Sequence, residues 1–532
     1  MPRNYGELHA GEAALRLMRQ TRCERPMMRY LFTAAAACLA LAAPARAEWR
    51  EASSDHFVVY ADASEGWLKR YADKLERFDA AMRFLRKIPD SEDERSNRLV
   101  IYVLPNAARA AELCGKRCGN VVGFYLPRAG GSIAYTIRGE GAGAADMKAD
   151  TVLFHEYTHH FLLANVPFAY PLWLGEGLAE FHGTSVVTEK GAVQVGLPPQ
   201  YRGAGLMIGN PIPIEQLFAP TAKPGDGQFW DVFYGRSWLL THMLTFGERS
   251  AQFPVYLRLI DEGKSSLDAA RTAFGDLKLL DREMNSAVGK QFRGAVISAD
   301  KLKVAAVTTR TLTPGEAAMM PVRLKSDRGV NRAEALALLP EARRRAAPFP
   351  NEAAVQTALA EAEYDAGNDA EAEAAVDRAL AADPKSREAL MYKGRVAMRK
   401  LVTAKSFDAA AWQRARRWFI RANALDPNAA EPLMLNYQTY LAANEKPTAN
   451  AVAGLERAFD LSRQDTSLRF NLAMQRLRDN QPAAARALLQ PIATNPHSGK
   501  PTRAAAVIAA IDAGNAADAR KAAQAGAEEE TE

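Results

Sequence analysis

The first third of the chain combines two periods of hydrophobic and polar residues. Residues 56–61 (HFVVYA) and 98–104 (RLVIYVL) are short runs rich in β-branched and aromatic residues, which is typical of β-strands. Between them, residues 67–86 carry apolar side chains three and four positions apart, which predicts an amphipathic helix. Its apolar positions are Leu68, Tyr71, Leu75, Phe78 and Met82. Residues 131–137 (GSIAYTI) predict a third strand. This mixture of strands and helix predicts an α+β fold for the N-terminal part.

Helical periodicity dominates the chain after the third strand. Residues 151–163 (TVLFHEYTHHFLL) predict a helix with a buried face at Phe154, Phe161 and Leu162. A further helical region begins at residue 229 and closes near residue 297. Residues 301–325 contain scattered Pro and Gly without a clear period. We interpret them as a linker or a small strand pair.

The last 200 residues are rich in Ala and contain an internal repeat. Pro350 and Pro384 each end a run that resembles a helix pair, and they are 34 residues apart, which is the tetratricopeptide period. The next interval, to Pro427, is 43 residues and is interpreted as a lengthened helix pair. Later repeats are degenerate, with ends near Asp465 and Pro496. About four repeats would be enough to stack a continuous core. A non-repetitive helical bundle remains the alternative.

Composition and charge exclude some classes of protein for this chain. An apolar content of 48% with 24% charged residues is ordinary for a globular protein and excludes wholesale disorder. The formal net charge is +6, of which residues 1–47 carry +4. The remaining residues are therefore almost balanced, which gives no reason to expect a nucleic-acid partner.

The N-terminus has the order of a secretory signal peptide. Basic residues precede an apolar run at 31–43, and the small residues Ala45 and Ala47 follow it. We expect cleavage before Glu48 and export, to a periplasmic location. An uncleaved N-terminal anchor is the alternative. No later stretch reaches 18 apolar residues, so no transmembrane segment is expected in the mature chain.

Removal of this leader would leave two cysteines, Cys114 and Cys118, in the sequence CGKRCG. An even number of cysteines in an oxidising compartment favours one small-loop disulfide. Gly115 and Gly119 supply the backbone freedom that such a tight loop needs.

His155, Glu156 and His159 form an HExxH motif inside the helix predicted at 151–163. Residues four apart lie on one face of a helix, so both imidazoles can face one zinc ion. Glu156 then projects beside the metal. A zinc site with two His ligands needs a third ligand from a second element, and a catalytic site leaves the fourth position to water. Glu176, in LWLGEGLAE at residues 172–180, is the candidate third ligand.

The combination of HExxH with WLGEGLAE resembles the gluzincin peptidases, and most closely the poorly characterised bacterial peptidase-MA-like group, which is often paired with tetratricopeptide repeats. The resemblance covers about residues 50–300, where FYGRSWLLTHML and DEGKSSLDAARTAFG also resemble that group. It implies a thermolysin-like catalytic domain in which His155, His159 and Glu176 bind Zn²⁺ and Glu156 is the general base. The ligand spacing is shorter than in the best-known aminopeptidase branch, so that specificity does not carry over.

Other residues of the same region have weaker assignments. Glu180, one turn after Glu176, is expected to orient a ligand His from behind, with a solvated helix acid as the alternative. By analogy with related gluzincins, Tyr234 in FYGRSW is the candidate donor to the developing oxyanion, although a core aromatic is the alternative. His160 is expected to be a packing or surface residue, and His182 either lines the site or packs. By the same resemblance, residues 132–137 are expected to be an edge strand that pairs with the substrate backbone.

We therefore expect an exported zinc peptidase that hydrolyses peptide bonds with zinc-activated water, with helical repeats that recruit protein substrates or partners. The predicted parts are a leader (1–47), a zinc metallopeptidase domain (48–300), a linker (301–330), tetratricopeptide-like repeats (331–522) and an acidic tail (523–532). If the repeats only recruit, deletion of residues 331–532 leaves cleavage of short peptides largely intact. Two other hypotheses are a tetratricopeptide scaffold with a structural or inactive zinc site, and an envelope quality-control protease of a different HExxH branch.

Overall fold

In a computed structural model, the described residues are 48–114, 123–139, 148–166, 170–221, 226–493 and 502–515, together with Ala519 and Lys521. The predicted leader and acidic tail lie outside the described residues. The chain from Glu48 onward forms one compact unit in which a sheet-containing part is followed by helical repeats. A sheet-containing part before helical repeats agrees with the coarse fold class that was predicted, while the domain bounds stay a prediction.

The sheet-containing part has a larger mixed sheet and a smaller antiparallel sheet. Its strands are β1 (Trp49–Ser53), β2 (Phe57–Asp62), β3 (Leu99–Leu104), β4 (Gly123–Leu126), β5 (Ile133–Ile137), β6 (Val186–Val187), β7 (Val193–Val195), β8 (Ala295–Ile297) and β9 (Thr308–Thr311). The larger sheet has the order β4-β5-β3-β2-β1-β9, and β6, β7 and β8 form the smaller one. Strands β2, β3 and β5 are parallel, whereas β1, β4 and β9 are antiparallel to their neighbours.

The predicted edge strand is not at the edge. Strand β5 is paired on both sides, in register from Val100↔Ile133 with β3 and from Gly123↔Thr136 with β4. Strand β4 is the edge instead. The sequence signal failed because β4 has only four residues and its side chains are all half-buried, so it shows no clear alternation.

Helices pack on both faces of the larger sheet in this part of the chain. They are α1 (Glu65–Arg86), α2 (Ala107–Cys114), α3 (Ala149–Asn165), α4 (Leu172–Gly183), α5 (Gly203–Ile208), α6 (Ile214–Phe218), α7 (Gly227–Phe246), α8 (Gln252–Asp261), α9 (Ser266–Phe274) and α10 (Leu277–Ala287). Val59, Ile101 and Ala134 from the sheet join α1, α3, α4 and α7 in one buried core. Burial of this shared apolar surface holds α3 and α4 against the sheet.

The remaining helices are α11 (Pro314–Arg328), α12 (Arg332–Ala346), α13 (Ala353–Asp365), α14 (Asp369–Ala382), α15 (Arg387–Thr403), α16 (Ala409–Leu425), α17 (Ala430–Ala442), α18 (Ala449–Leu461), α19 (Thr466–Arg478), α20 (Pro482–Ala493) and α21 (Arg503–Asp512). Helices α15 and α16 have 17 residues each, against 13 and 14 in α13 and α14. The longer helices, together with a longer connection at 404–408 than at 366–368, account for the longer second interval of the repeat. Among the described residues, no helix combines the length and the apolar character that a membrane crossing requires.

The expected linker at 301–330 contains strand β9 and helix α11 instead. Strand β9 pairs with β1, and Met320 of α11 packs on the second face of the sheet. On that face Tyr102 donates a hydrogen bond to Asp327, while Met319 points into the repeats. Helix α11 is therefore buried on two sides, which hides the period of a helix with one apolar face. Its start was readable, since Thr313 and Glu316 form a capping box.

Candidate metal centre

Helix α3 brings the two motif histidines together. His155 Nε2 and His159 Nε2 are 3.2 Å apart on one face of the helix. Phe154, on the opposite face, stacks on Phe78 of α1 with ring centroids 3.9 Å apart. The apolar face of α3 is thus fixed in the core, which directs both imidazoles away from it.

Helix α4 supplies Glu176 to the same point. Its Oε2 atom lies 3.4 Å from His155 Nε2 and 3.4 Å from His159 Nε2. Glu176 is only 3% exposed, and within the described part of the chain Oε2 has no hydrogen-bond partner. Ligands bound to zinc at about 2.0–2.1 Å in a tetrahedron are about 3.3–3.4 Å from one another. The three atoms therefore fit a zinc ion. Such an ion would also explain why the buried Glu176 Oε2 atom has no hydrogen-bond partner among the described residues.

The electrostatics of the three residues favour a cation. Burial lowers the pKa of His155, and the Glu176 carboxylate raises it by more, to about 9. Burial raises the pKa of Glu176, but the neighbouring imidazoles of His159 and His155 lower it by more. Positive charge between these groups is therefore stabilised, which is the requirement of a cation site.

Glu156 lies beside the cluster and is half-buried. Its carboxylate is not among the three converging groups, and it has no hydrogen bond to another described residue. It is therefore available for proton transfer.

Tyr234 of α7 borders the same cluster. Its ring centroid is 6.4 Å from that of His155. Burial, and then the charge of Glu176, raises the pKa of the Tyr234 phenol above its usual range. The hydroxyl therefore stays protonated at neutral pH and can donate a hydrogen bond.

Glu180 is fully buried behind His155, with Oε1 3.9 Å from His155 Nδ1. That distance is too long for a direct hydrogen bond, and the carboxylate is held by other residues. Tyr201 donates to Oε2 at 2.6 Å, and Arg202 donates to Oε1 at 2.9 and 3.1 Å. The alternative of a solvated helix acid is therefore wrong. Glu180 places negative charge beside the imidazole through a fixed network.

Sequence reasoning missed Tyr201, Arg202 and Asp231. Arg202 pairs with Asp231 at 2.8 Å, and its guanidinium carbon lies 4.8 Å from the centre of the Tyr234 ring. Arg202 thus connects Glu180 with the helix that carries Tyr234. These residues lie in a short 3₁₀ helix and in α7, and no local spacing relates them to HExxH.

The other histidines of this region point elsewhere. His160 is buried, with Nδ1 2.7 Å from the Tyr125 hydroxyl, and burial lowers its pKa to about 4. It is a packing residue, as expected. His182 is buried against Phe78 and Phe181, with Nε2 3.3 Å from an Arg86 nitrogen. It packs rather than joining the three-residue cluster.

Cys114 is disulfide-bonded in the structure, but its predicted pairing with Cys118 is not tested. Cys114 is the last residue of α2, and Cys118 lies outside the described residues. The pairing stays a prediction.

A second group of possible metal ligands consists of His56, Glu76 and Asp79. Its carboxylates are paired with basic side chains of the protein. His56 Nδ1 is 2.8 Å from Glu76, and Arg83 Nε donates to Asp79 at 2.7 Å. The Tyr157 hydroxyl donates to the other Asp79 oxygen at 2.7 Å. A buried ion-pair network of this kind needs no metal.

Comparison with known proteins identifies the repeats. A tetratricopeptide repeat family model matches residues 353–396, which comprise the helix pair α13 and α14 and the first part of α15. No curated protein sequence matches this chain. A solved structure, the MamA RS-1 ArsTM double mutant, is similar at 17% identity and a TM-score of 0.26, over 34% of this chain and 94% of that chain. The C-terminal part of this chain therefore contains a tetratricopeptide repeat, and the family match lies outside residues 48–300.

Proposed function

We propose that this chain is a zinc-dependent peptidase of the gluzincin type, with His155, His159 and Glu176 as metal ligands. The observation that carries the proposal is the convergence of three ligand atoms 3.2–3.4 Å apart, one of them a buried carboxylate oxygen without a hydrogen bond. Glu156 stands outside this triangle, and its carboxylate has no hydrogen bond to another described residue. A structural zinc site has four protein ligands, whereas the part of the chain that the structure describes offers three here.

A zinc ion held by these residues would polarise a peptide carbonyl and leave one position to water. Glu156 takes the proton of the attacking water and passes it to the leaving amine. Tyr234, which remains protonated, donates to the carbonyl oxygen as negative charge develops there. Glu180 lies behind His155, with Oε1 3.9 Å from Nδ1, and Tyr201 and Arg202 hold its carboxylate in place by hydrogen bonds.

The repeats indicate a protein-interaction function for the C-terminal part. In this proposal they bring a polypeptide substrate or a protein partner to the peptidase. The signal-peptide pattern supports export to the periplasm, which fractionation of cells that express the full chain would test.

The second candidate function is a protein-interaction scaffold whose zinc site is structural or inactive. The tetratricopeptide match favours it, since such repeats bind proteins. The two candidates differ in what they require of Glu156, because a scaffold has no use for a general base.

Metal analysis and peptide-library cleavage with purified residues 48–532 test the proposal. We expect about one zinc per chain, lost in His155→Ala and His159→Ala. Glu156→Gln keeps the three ligands, so zinc content should be unchanged while hydrolysis falls by about 10²- to 10⁴-fold. Glu262→Gln, an exposed acid at the end of α8, is the matched control and should retain full activity. A Glu156→Gln protein as active as the parent would rule out this mechanism and favour the scaffold.

A further inference from the structure

The turn between β4 and β5, residues 127–132, is held by the repeats. The backbone amide of Ala129 donates a hydrogen bond to Asp465 Oδ2 at 2.5 Å, and both residues are buried. The Ala129 side chain belongs to the buried cluster of α15 to α19. A Cβ atom at Gly130 would lie 2.6 Å from Glu431 Oε2 of α17. The turn therefore fits closely against the repeats, and Gly131, with a φ of 113°, lets the chain reverse there.

A second contact ties the repeats to the start of β3. Asn97 is 8% exposed, and its side chain donates to the Asn428 carbonyl at 2.8 Å and accepts from the Ala430 amide at 3.2 Å. Ser96 donates to Asp426 at 2.8 Å. These bonds place the repeats in a defined position on the sheet-containing part, because each pairs groups of fixed geometry.

The same turn is connected to helix α3, which carries His155 and His159. The Tyr125 hydroxyl bridges Ser132 Oγ at 3.2 Å and His160 Nδ1 at 2.7 Å. His160 directly follows the ligand His159 in α3. At the other end of β4, a Cβ atom at Gly123 would lie 3.6 Å from Val152 of α3. Edge strand β4 is thus packed along α3 from one end and fixed by the repeats at the other.

We propose that the repeats hold the β4–β5 hairpin against the zinc helix through Asp465, which makes Asp465 a positioning residue of the peptidase. This inference rests on the proposed function. Among the described strands, none pairs with the outer edge of β4, so an extended polypeptide can pair with it. Loss of the Asp465 contact lets the hairpin move, and displacement of a binding strand by about 1 Å is enough to impair the reaction.

The decisive variant is Asp465→Ser. Asp465 is also the N-cap of α19, since Oδ1 accepts from the Leu468 amide at 2.6 Å. Serine is an equally good N-cap but lacks the second oxygen that binds Ala129. Asp408→Ser is the matched control: Asp408 caps α16 and contacts the Ala410 amide at 2.9 Å, without a contact to the turn among the described residues.

Hydrogen exchange is the first readout. In Asp465→Ser the amides of β4 and β5 should exchange at least several-fold faster than in the parent, whereas Asp408→Ser should leave them unchanged. The zinc content and the thermal midpoint of the two variants should be the same. Unchanged exchange in Asp465→Ser would overturn the proposal.

Kinetics with a short peptide are the second readout. Asp465→Ser should lower kcat/KM by about 10-fold, mainly through KM, since the strand that binds the substrate is displaced while Glu156 and the ligands remain. If the parent is active and Asp465→Ser shows faster exchange with unchanged kcat/KM, the Asp465 contact stabilises the hairpin without positioning it for the reaction. That result would overturn the proposal. If the parent cleaves no peptide, the proposed function fails by itself. The rate of zinc release then tests whether the hairpin supports the site, and we expect faster release from Asp465→Ser than from Asp408→Ser. Equal release rates would overturn the positioning role of Asp465.

Discussion

Gly177 faces the backbone of Ser237 so closely that a Cβ atom at Gly177 would lie 2.5 Å from the Ser237 carbonyl oxygen. Gly177 follows the proposed ligand Glu176 in α4, and Ser237 is one turn after Tyr234 in α7. The close approach of these two helices therefore sets the distance between the third ligand and the candidate oxyanion donor. A larger residue at this position must push the helices apart.

Gly177→Ala is expected to destabilise the protein by about 1–3 kcal/mol and to weaken zinc binding, because α4 moves away from α3 or α7. Gly175→Ala is the matched control on the other side of Glu176. A Cβ atom at Gly175 would have no atom within 4 Å. Because alanine favours a helix over glycine, this substitution should raise the free energy of unfolding by about 0.5–1 kcal/mol. Thermal unfolding and a zinc titration measure both effects. Equal behaviour of the two variants would contradict the close-packing argument.

Glu180→Gln should weaken zinc binding by about 10- to 100-fold, since the ligand His155 loses the negative charge behind it. Arg202 keeps its pair with Asp231, so the fold should be retained. Competition with a chelator measures the affinity without reference to activity. Glu283→Gln breaks the Arg249 pair far from the cluster and serves as control; a matching loss of affinity there would speak for a general electrostatic effect.

The His56 network should make stability depend on pH. Burial lowers the pKa of His56, and the carboxylates of Asp79 and Glu76 raise it by more, to about 9. In the unfolded chain the value is about 6.5, so the folded state binds the proton more tightly. The stabilisation, about 3 kcal/mol, is complete below pH 6.5 and is lost as the pH rises to about 9.

Urea unfolding of the parent and of His56→Gln at pH 6 and pH 9.5 measures this dependence. The difference in stability between the two proteins should be large at pH 6 and small at pH 9.5. His242 is the control, because burial lowers its pKa, and His242→Gln should show no such loss. A difference that is the same at both pH values would mean that folding does not raise the pKa of His56.

Truncation after residue 330 should destabilise the sheet-containing part. It exposes Met319 and Val322 of α11, which pack in the repeats, and it removes the Asp465 contact to Ala129. This contradicts the expectation that residues 331–532 can be deleted with little effect on short peptides. A chain that ends at residue 493 keeps both contacts and is the control. The thermal midpoints of the 48–330 and 48–493 chains should differ by several degrees, and equal midpoints would show that the two parts fold independently.

Strong local periods made several elements predictable. Strands β2, β3 and β5 and helix α1 lie where the hydrophobic pattern placed them. Helix α11 was missed because Met319 and Met320 are buried on different sides. Strand β4 was missed because four half-buried residues carry too little signal. In each case a short or doubly buried element lacks the single apolar face that a pattern detects.

The sequence by itself determined the residues that can bind a metal, because the spacing of His155 and His159 places both on one helical face wherever the helix lies. It also determined the repeat, since each helix pair buries the same small residues against its neighbours. Only the tertiary structure decided that Glu176 meets the two histidines, that Arg202 secures Glu180, and that Asp465 binds the hairpin. These contacts join elements that are far apart in the chain, and they depend on which faces pack together rather than on any local spacing.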